Sequence, residues 1–112
     1  MDLIKCFNDT MGFATEGKLR HKTRKAQKSV RVYKEGFTAK KHKKFYSKAD
    51  IIVERNTSFA SASKYLKYGR TAVLNFANPV HPGGGVEVGA MAQEEGLCRS
   101  SNLFACLSGK AA

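Results

Sequence analysis

The sequence has no tryptophan, only two prolines, and few acids: nine Asp or Glu stand against twenty Lys or Arg in 112 residues. Each shortage excludes a class. So little proline rules out a proline-rich recognition tract. Three cysteines, Cys6, Cys98 and Cys106, are an odd number with no CxxC pair, which leaves no disulfide framework. His21, His42 and His81 do not stand at zinc-ligand spacings, so no metal is expected. No apolar run reaches the length of a membrane span. Met1-Asp2-Leu3-Ile4-Lys5 has no signal-peptide pattern, because charge interrupts the apolar stretch. Together these predict reduced thiols, a cytoplasmic location and no membrane partner.

What is present argues for a folded chain, with 42% hydrophobic residues and seven Phe. At this length, one small domain or part of a larger one is expected. The net charge of +11 is unevenly spread. Residues 18–48 hold thirteen Lys or Arg against one acid, Glu35, while the remainder is nearly neutral, with seven bases and eight acids. Such a run is either a solvated basic helix or a face for a polyanion. Ala26, Val30, Tyr33 and Phe37 recur at spacings of four, three and four, which predicts one basic amphipathic helix over 19–35, closed by Gly36.

A short helix is expected over 2–14, and a basic connector over 38–48. Ile51-Ile52-Val53 is a β-branched run and predicts a strand. Asn56-Thr57-Ser58 offers N-caps to a helix over 59–68 that Gly69 ends. The run TAVLNFA, 71–77, is almost continuously apolar, as in a strand buried on both faces of a parallel sheet. Strand, helix, strand is a βαβ unit, so the expected class is α/β.

Immediately after that run come Asn78, Pro79 and Pro82, then Gly83-Gly84-Gly85, then seven residues, then Gln93-Glu94-Glu95. A loop leaving the end of a parallel strand lies where ligands bind in open α/β sheets. Three glycines remove every Cβ, so backbone can approach a ligand closely, and their N–H groups can cradle phosphate. A helix is expected to begin near Gly89 or Ala90, with Gln93, Glu94 and Glu95 in its first turns. Neighbouring helical positions point about 100° apart, so the two acids cannot play the same part.

This segment resembles the signature of poly(ADP-ribose) glycohydrolases, GGG followed six to eight residues later by QEE. Residues 51–107, including the later stretch LCRSSNLF, resemble the microbial type of that family, and the NDTM and SVRVYKEGF stretches resemble its helical lead-in. The resemblance implies a macrodomain-like α/β/α core over 51–112, preceded by a basic helical lead-in over 1–50. It implies hydrolysis of the ribose–ribose O-glycosidic bond of poly(ADP-ribose), or action on an ADP-ribosylated protein, with release of ADP-ribose and no cofactor.

It also implies residue roles. Glu95 matches the catalytic glutamate, Glu94 the neighbour that helps hold the ribose hydroxyls, and Gln93 a supporting polar residue. Gly83, Gly84 and Gly85 match the diphosphate loop, and Asn78 an asparagine on the distal ribose. Cleaving a glycosidic acetal passes through an oxocarbenium-like state. A carboxyl that first donates a proton and then activates water needs a pKa raised by burial or by a neighbouring carboxylate.

Two other classes remain open: an ADP-ribose-binding module without turnover, and a basic nucleic-acid-binding protein acting through 18–48. Glu94 and Glu95 together count against the first, and the GGG/QEE spacing against the second. The family's fold continues past a segment such as LCRSSNLFACL, whereas this sequence reaches Ala112 with no further strand pattern after Ser108. The expectation is therefore an N-terminal part of that fold, with an unpaired sheet edge and impaired stability and activity.

Overall fold

A computed structural model describes residues 1–109. The expected stretch without strand pattern lies, beyond Gly109, outside the described residues. Among these described residues five α-helices follow in order: α1 (Leu3–Thr15), α2 (Arg20–Ser29), α3 (Ser58–Tyr65), α4 (Gln93–Ser100) and α5 (Leu103–Ser108). A 3₁₀ turn, Leu66–Tyr68, extends α3, and another, Val86–Val88, precedes α4. No helix among the described residues is long and apolar enough to cross a membrane.

Helix α1 begins where Asp2 Oδ1 accepts the Lys5 N–H at 2.9 Å. Its Phe7, Met11 and Ala14 recur at helical spacing and turn inward. Phe7 meets Phe104 of α5 edge to face, with centroids 5.0 Å apart. Val86, just after the triple glycine, and Cys98 of α4 complete this small core with Met11 and Leu103. Helix α4 is tied to α1 by Thr10, whose hydroxyl donates to the Arg99 carbonyl at 2.6 Å. Helix α2 buries Thr23 and sends Gln27 Nε2 to the Ala105 carbonyl of α5 at 2.8 Å.

The structure corrects the α/β expectation. Among the described residues there is no strand, so neither the βαβ unit nor a macrodomain-like α/β/α core is present. Residues 51–53 and 71–77 are irregular, and Ile51, Ile52, Val53, Leu74 and Phe76 are exposed. Apolar runs register a tendency to be buried, but a strand exists only when its N–H and C=O groups meet a partner ladder. No such ladder forms here.

The basic helix is also shorter than expected. It stops at Ser29, and Tyr33 and Phe37 stack on each other, exposed, at 4.3 Å beyond it. Like charges at Arg20/Arg24 and Arg24/Lys28 oppose the helix, and Val30 and Val32 are β-branched. Only Ala26 and Val30 of the expected stripe find anything to pack against. The radius of gyration, 15.9 Å, exceeds the roughly 13 Å of a compact chain this size, as an open 30–57 segment requires.

Candidate active site

The site is the contact between the first turn of α4 and residues 74–85. The 3₁₀ turn closes on Gly89, which takes φ +83°, so α4 starts at Gln93 instead of the expected Gly89 or Ala90. Arg99 braces this entry by donating Nη1 to the Ala90 carbonyl at 2.6 Å. Three consecutive side chains then grip three successive parts of the incoming loop.

Gln93 takes the first part. Its Nε2 donates to the Leu74 carbonyl at 2.8 Å and its Oε1 accepts from the Phe76 N–H at 2.9 Å. Those two groups flank Asn75 and are the pair that one residue of a parallel strand would bridge. The amide thus stands in for a neighbouring strand, which is where the backbone bonding expected of 71–77 has gone. Nε2 also donates to Ser58 Oγ of α3 at 3.2 Å.

Glu94, only 2% exposed, takes the second part. Oε2 accepts from Asn75 Nδ2 at 2.8 Å, and Oε1 from the Asn78 N–H at 2.9 Å. Asn78 in turn shapes the bend that follows, since its Oδ1 accepts the N–H groups of Val80 and His81 at 2.9 and 2.8 Å. Asn75 Oδ1 is the one buried side-chain polar atom without a partner among the described residues.

Glu95, 7% exposed, takes the third. Its Oε1 accepts the Gly85 N–H at 3.0 Å, and among the described residues Oε2 receives no hydrogen bond. The two acids therefore differ: both oxygens of Glu94 are engaged, and one of Glu95 is free. Both lie in the first turn of α4, where the helix N-terminus favours negative charge. The neighbouring Cys98 thiol is pushed up to about 11, chiefly by burial and then by the Glu94 and Glu95 carboxylates.

Each glycine of the triplet meets a different neighbour. A Cβ on Gly83 would lie 2.5 Å from the Phe104 ring, one on Gly84 would collide with Glu95 Oε1, and one on Gly85 would lie 2.9 Å from the Ala90 Cβ. Gly83 and Gly84 take positive φ, +82° and +57°. The Gly84 N–H is bonded to the His81 carbonyl at 2.9 Å. The loop is thus bare because α4, α5 and Ala90 press against it from within, besides whatever meets it from outside.

All seven residues singled out from the sequence, Asn78, Gly83, Gly84, Gly85, Gln93, Glu94 and Glu95, come together here. Sequence reasoning missed Asn75 and Arg99. Asn75 carried a signal, being the one amide inside an otherwise apolar run. A groove of about 470 Å³ opens beside the site between α3 and α4, lined by Thr57, Phe59, Met91, Gln93 and Leu97 among others.

Residues 3–112 match the family model described as microbial-type PARG, catalytic domain. No curated protein and no solved structure matches the chain.

Proposed function

The chain belongs to the microbial-type PARG catalytic-domain family, and from that premise we propose that it cleaves the ribose–ribose O-glycosidic bond of poly(ADP-ribose), with Glu95 as the acid. The observation that carries this reading is the inequality of the two carboxylates. Glu94 has both oxygens engaged by Asn75 and Asn78, whereas among the described residues Glu95 has no partner on Oε2 while Gly85 holds Oε1. A carboxyl oriented through one oxygen and free at the other is equipped to carry and deliver a proton.

In this mechanism the Glu95 carboxyl gives its proton to the leaving ribose oxygen as the C–O bond breaks. The oxocarbenium-like centre is stabilised by the substrate's own diphosphate, so no second protein nucleophile is needed. Glu95, now a carboxylate, takes a proton from water, whose oxygen bonds to the anomeric carbon. ADP-ribose leaves and the acid is restored. Glu94 uses its remaining lone pairs on the ribose hydroxyls, since each carboxylate oxygen accepts two hydrogen bonds. Asn78 addresses the distal ribose, Gly83–Gly85 let the diphosphate approach bare backbone, and Gln93 holds the loop in register.

Glu95→Gln tests the proposal. The amide keeps an oxygen for the Gly85 N–H, so the loop stays in place while the proton donor is lost. ADP-ribose release should fall by about 100- to 10,000-fold with ligand binding retained. Retention of more than about a tenth of the activity would remove Glu95 from the role.

A further inference from the structure

The site uses none of the thirteen cations in residues 18–48. Those cations have no intramolecular counter-charge: among the described residues the ion pairs are Lys5–Asp9 and Lys64–Glu54. All thirteen are exposed, with Glu35 the one acid among them. Four aromatic rings are interleaved. Tyr33 and Phe37 are more than half exposed, and Phe45 and Tyr46 are 87% and 85% exposed. Solvated charge runs have no need of exposed Phe, whereas surfaces that track a single-stranded polyanion combine cations for the backbone with rings on which bases stack.

We propose that residues 18–48 form a holding surface for the poly(ADP-ribose) chain, distinct from the hydrolytic site, with cations on its diphosphates and exposed rings against its adenines. The proposal rests on the reading of the substrate given above. Two features favour this polymer over a nucleic acid. Ten of the thirteen cations are Lys and three are Arg, so charge outweighs the bidentate forks that read base edges. The cations also come in adjacent pairs, Arg24-Lys25, Lys40-Lys41 and Lys43-Lys44, which suits paired phosphates.

The surface is moored near the site. Helix α2 is fixed to α5 through Gln27, and to Asn102 just before α5 through Thr23, and α5 carries Phe104, whose ring meets Gly83. A polymer lying along 18–48 would be retained beside the loop between cleavages, which raises its effective concentration there without changing the chemistry.

The test is fluorescence anisotropy on the full chain carrying Glu95→Gln, so that polymer is not consumed, with and without Lys40, Lys41, Lys43 and Lys44 changed together to Gln. These residues lie outside every helix, so the fold should survive, and circular dichroism checks it. The probes are labelled poly(ADP-ribose) of about twenty units, ADP-ribose monomer, and single-stranded DNA of equal phosphate count. The fourfold change should weaken polymer binding at least about tenfold and reduce the slope of log affinity against log salt by about 3. Monomer affinity should not move, and DNA should bind at least about tenfold more weakly than the polymer. Phe45→Ala with Tyr46→Ala should also weaken polymer binding but leave the salt slope unchanged. Unaltered polymer affinity in the fourfold variant overturns the proposal, and equal affinity for DNA reassigns the surface to nucleic acid. Normal hydrolysis by the chain that retains Glu95, with these binding tests failing, sinks the holding surface alone. No hydrolysis by the chain that retains Glu95, together with no monomer binding while polymer binding is intact, sinks the glycohydrolase reading instead.

Discussion

Gly84→Ala isolates what the triple glycine does for the acid. Gly84 sits at φ +57°, where an alanine costs about 1–2 kcal/mol. Its Cβ would also collide with Glu95 Oε1. The carboxylate is the movable partner, so it should swing away, leaving the Gly85 N–H without the acceptor it now holds at 3.0 Å. Losing a hydrogen bond to a charged group costs about 1.5–3 kcal/mol. The sum, about 2.5–5 kcal/mol, is a large share of the roughly 5–15 kcal/mol that holds a small domain together. At about 4 °C per kcal/mol for a chain of this size, the melting temperature should drop by about 10–20 °C. Release of ADP-ribose, assayed below the new melting point, should fall as in Glu95→Gln, because the acid is present but displaced. Gly12→Ala is the control: it lies inside α1 with nothing within 4 Å of the new Cβ, and should stabilise by about 0.5–1 kcal/mol. A Gly84→Ala variant that melts within about 2 °C of the parent and keeps its hydrolysis would refute the claim that Gly84 makes room for Glu95.

Three further outcomes follow from the same contacts. Gly83→Ala should lower the melting temperature through the core, because its Cβ meets the Phe104 ring that packs on Phe7, besides crowding the diphosphate loop; an unchanged melting temperature argues against the core contact. Gln93→Ala removes the amide that bridges Leu74 and Phe76, so hydrogen exchange at the Phe76 N–H should quicken about tenfold while global stability changes by only about 0.5–1.5 kcal/mol; unchanged exchange would mean that the bridge does not hold the loop. Cys98 has its pKa raised from 9.0 to about 11, so its contribution to stability is fully present below pH 9 and is lost as the pH rises towards 11. Base titration should show that loss, Cys98→Ala should flatten it, and at pH 8 a thiol reagent should react with the half-buried Cys6 before buried Cys98.

The local features were legible in the sequence because local chemistry produces them. Thr57 caps the helix that follows, and Gly69 closes the α3 extension, as short-range hydrogen bonding and conformational freedom dictate. The GGG and QEE residues were legible as one site for a similar reason: only seven residues separate them, too few to let them lie far apart. The strands were misread because apolar runs such as 71–77 report the tendency to leave water, while a strand depends on a partner contributed from elsewhere. Here that partner is a single amide, Gln93, at a distance of nineteen residues from Leu74. The length of α2 was misread because periodicity assumes a surface to pack against, and Tyr33 and Phe37 have none but each other. Sequence alone therefore marked the Thr57 cap and the residues, from Asn78 to Glu95, that the fold brings together at one place. Tertiary structure alone decided that Asn75 and Asn78 occupy Glu94, that Gly85 holds one oxygen of Glu95 and leaves the other free, and that Gly84 must lack a side chain. Those are contacts between atoms of residues ten to nineteen positions apart, set by how α4 meets the loop and by no local propensity.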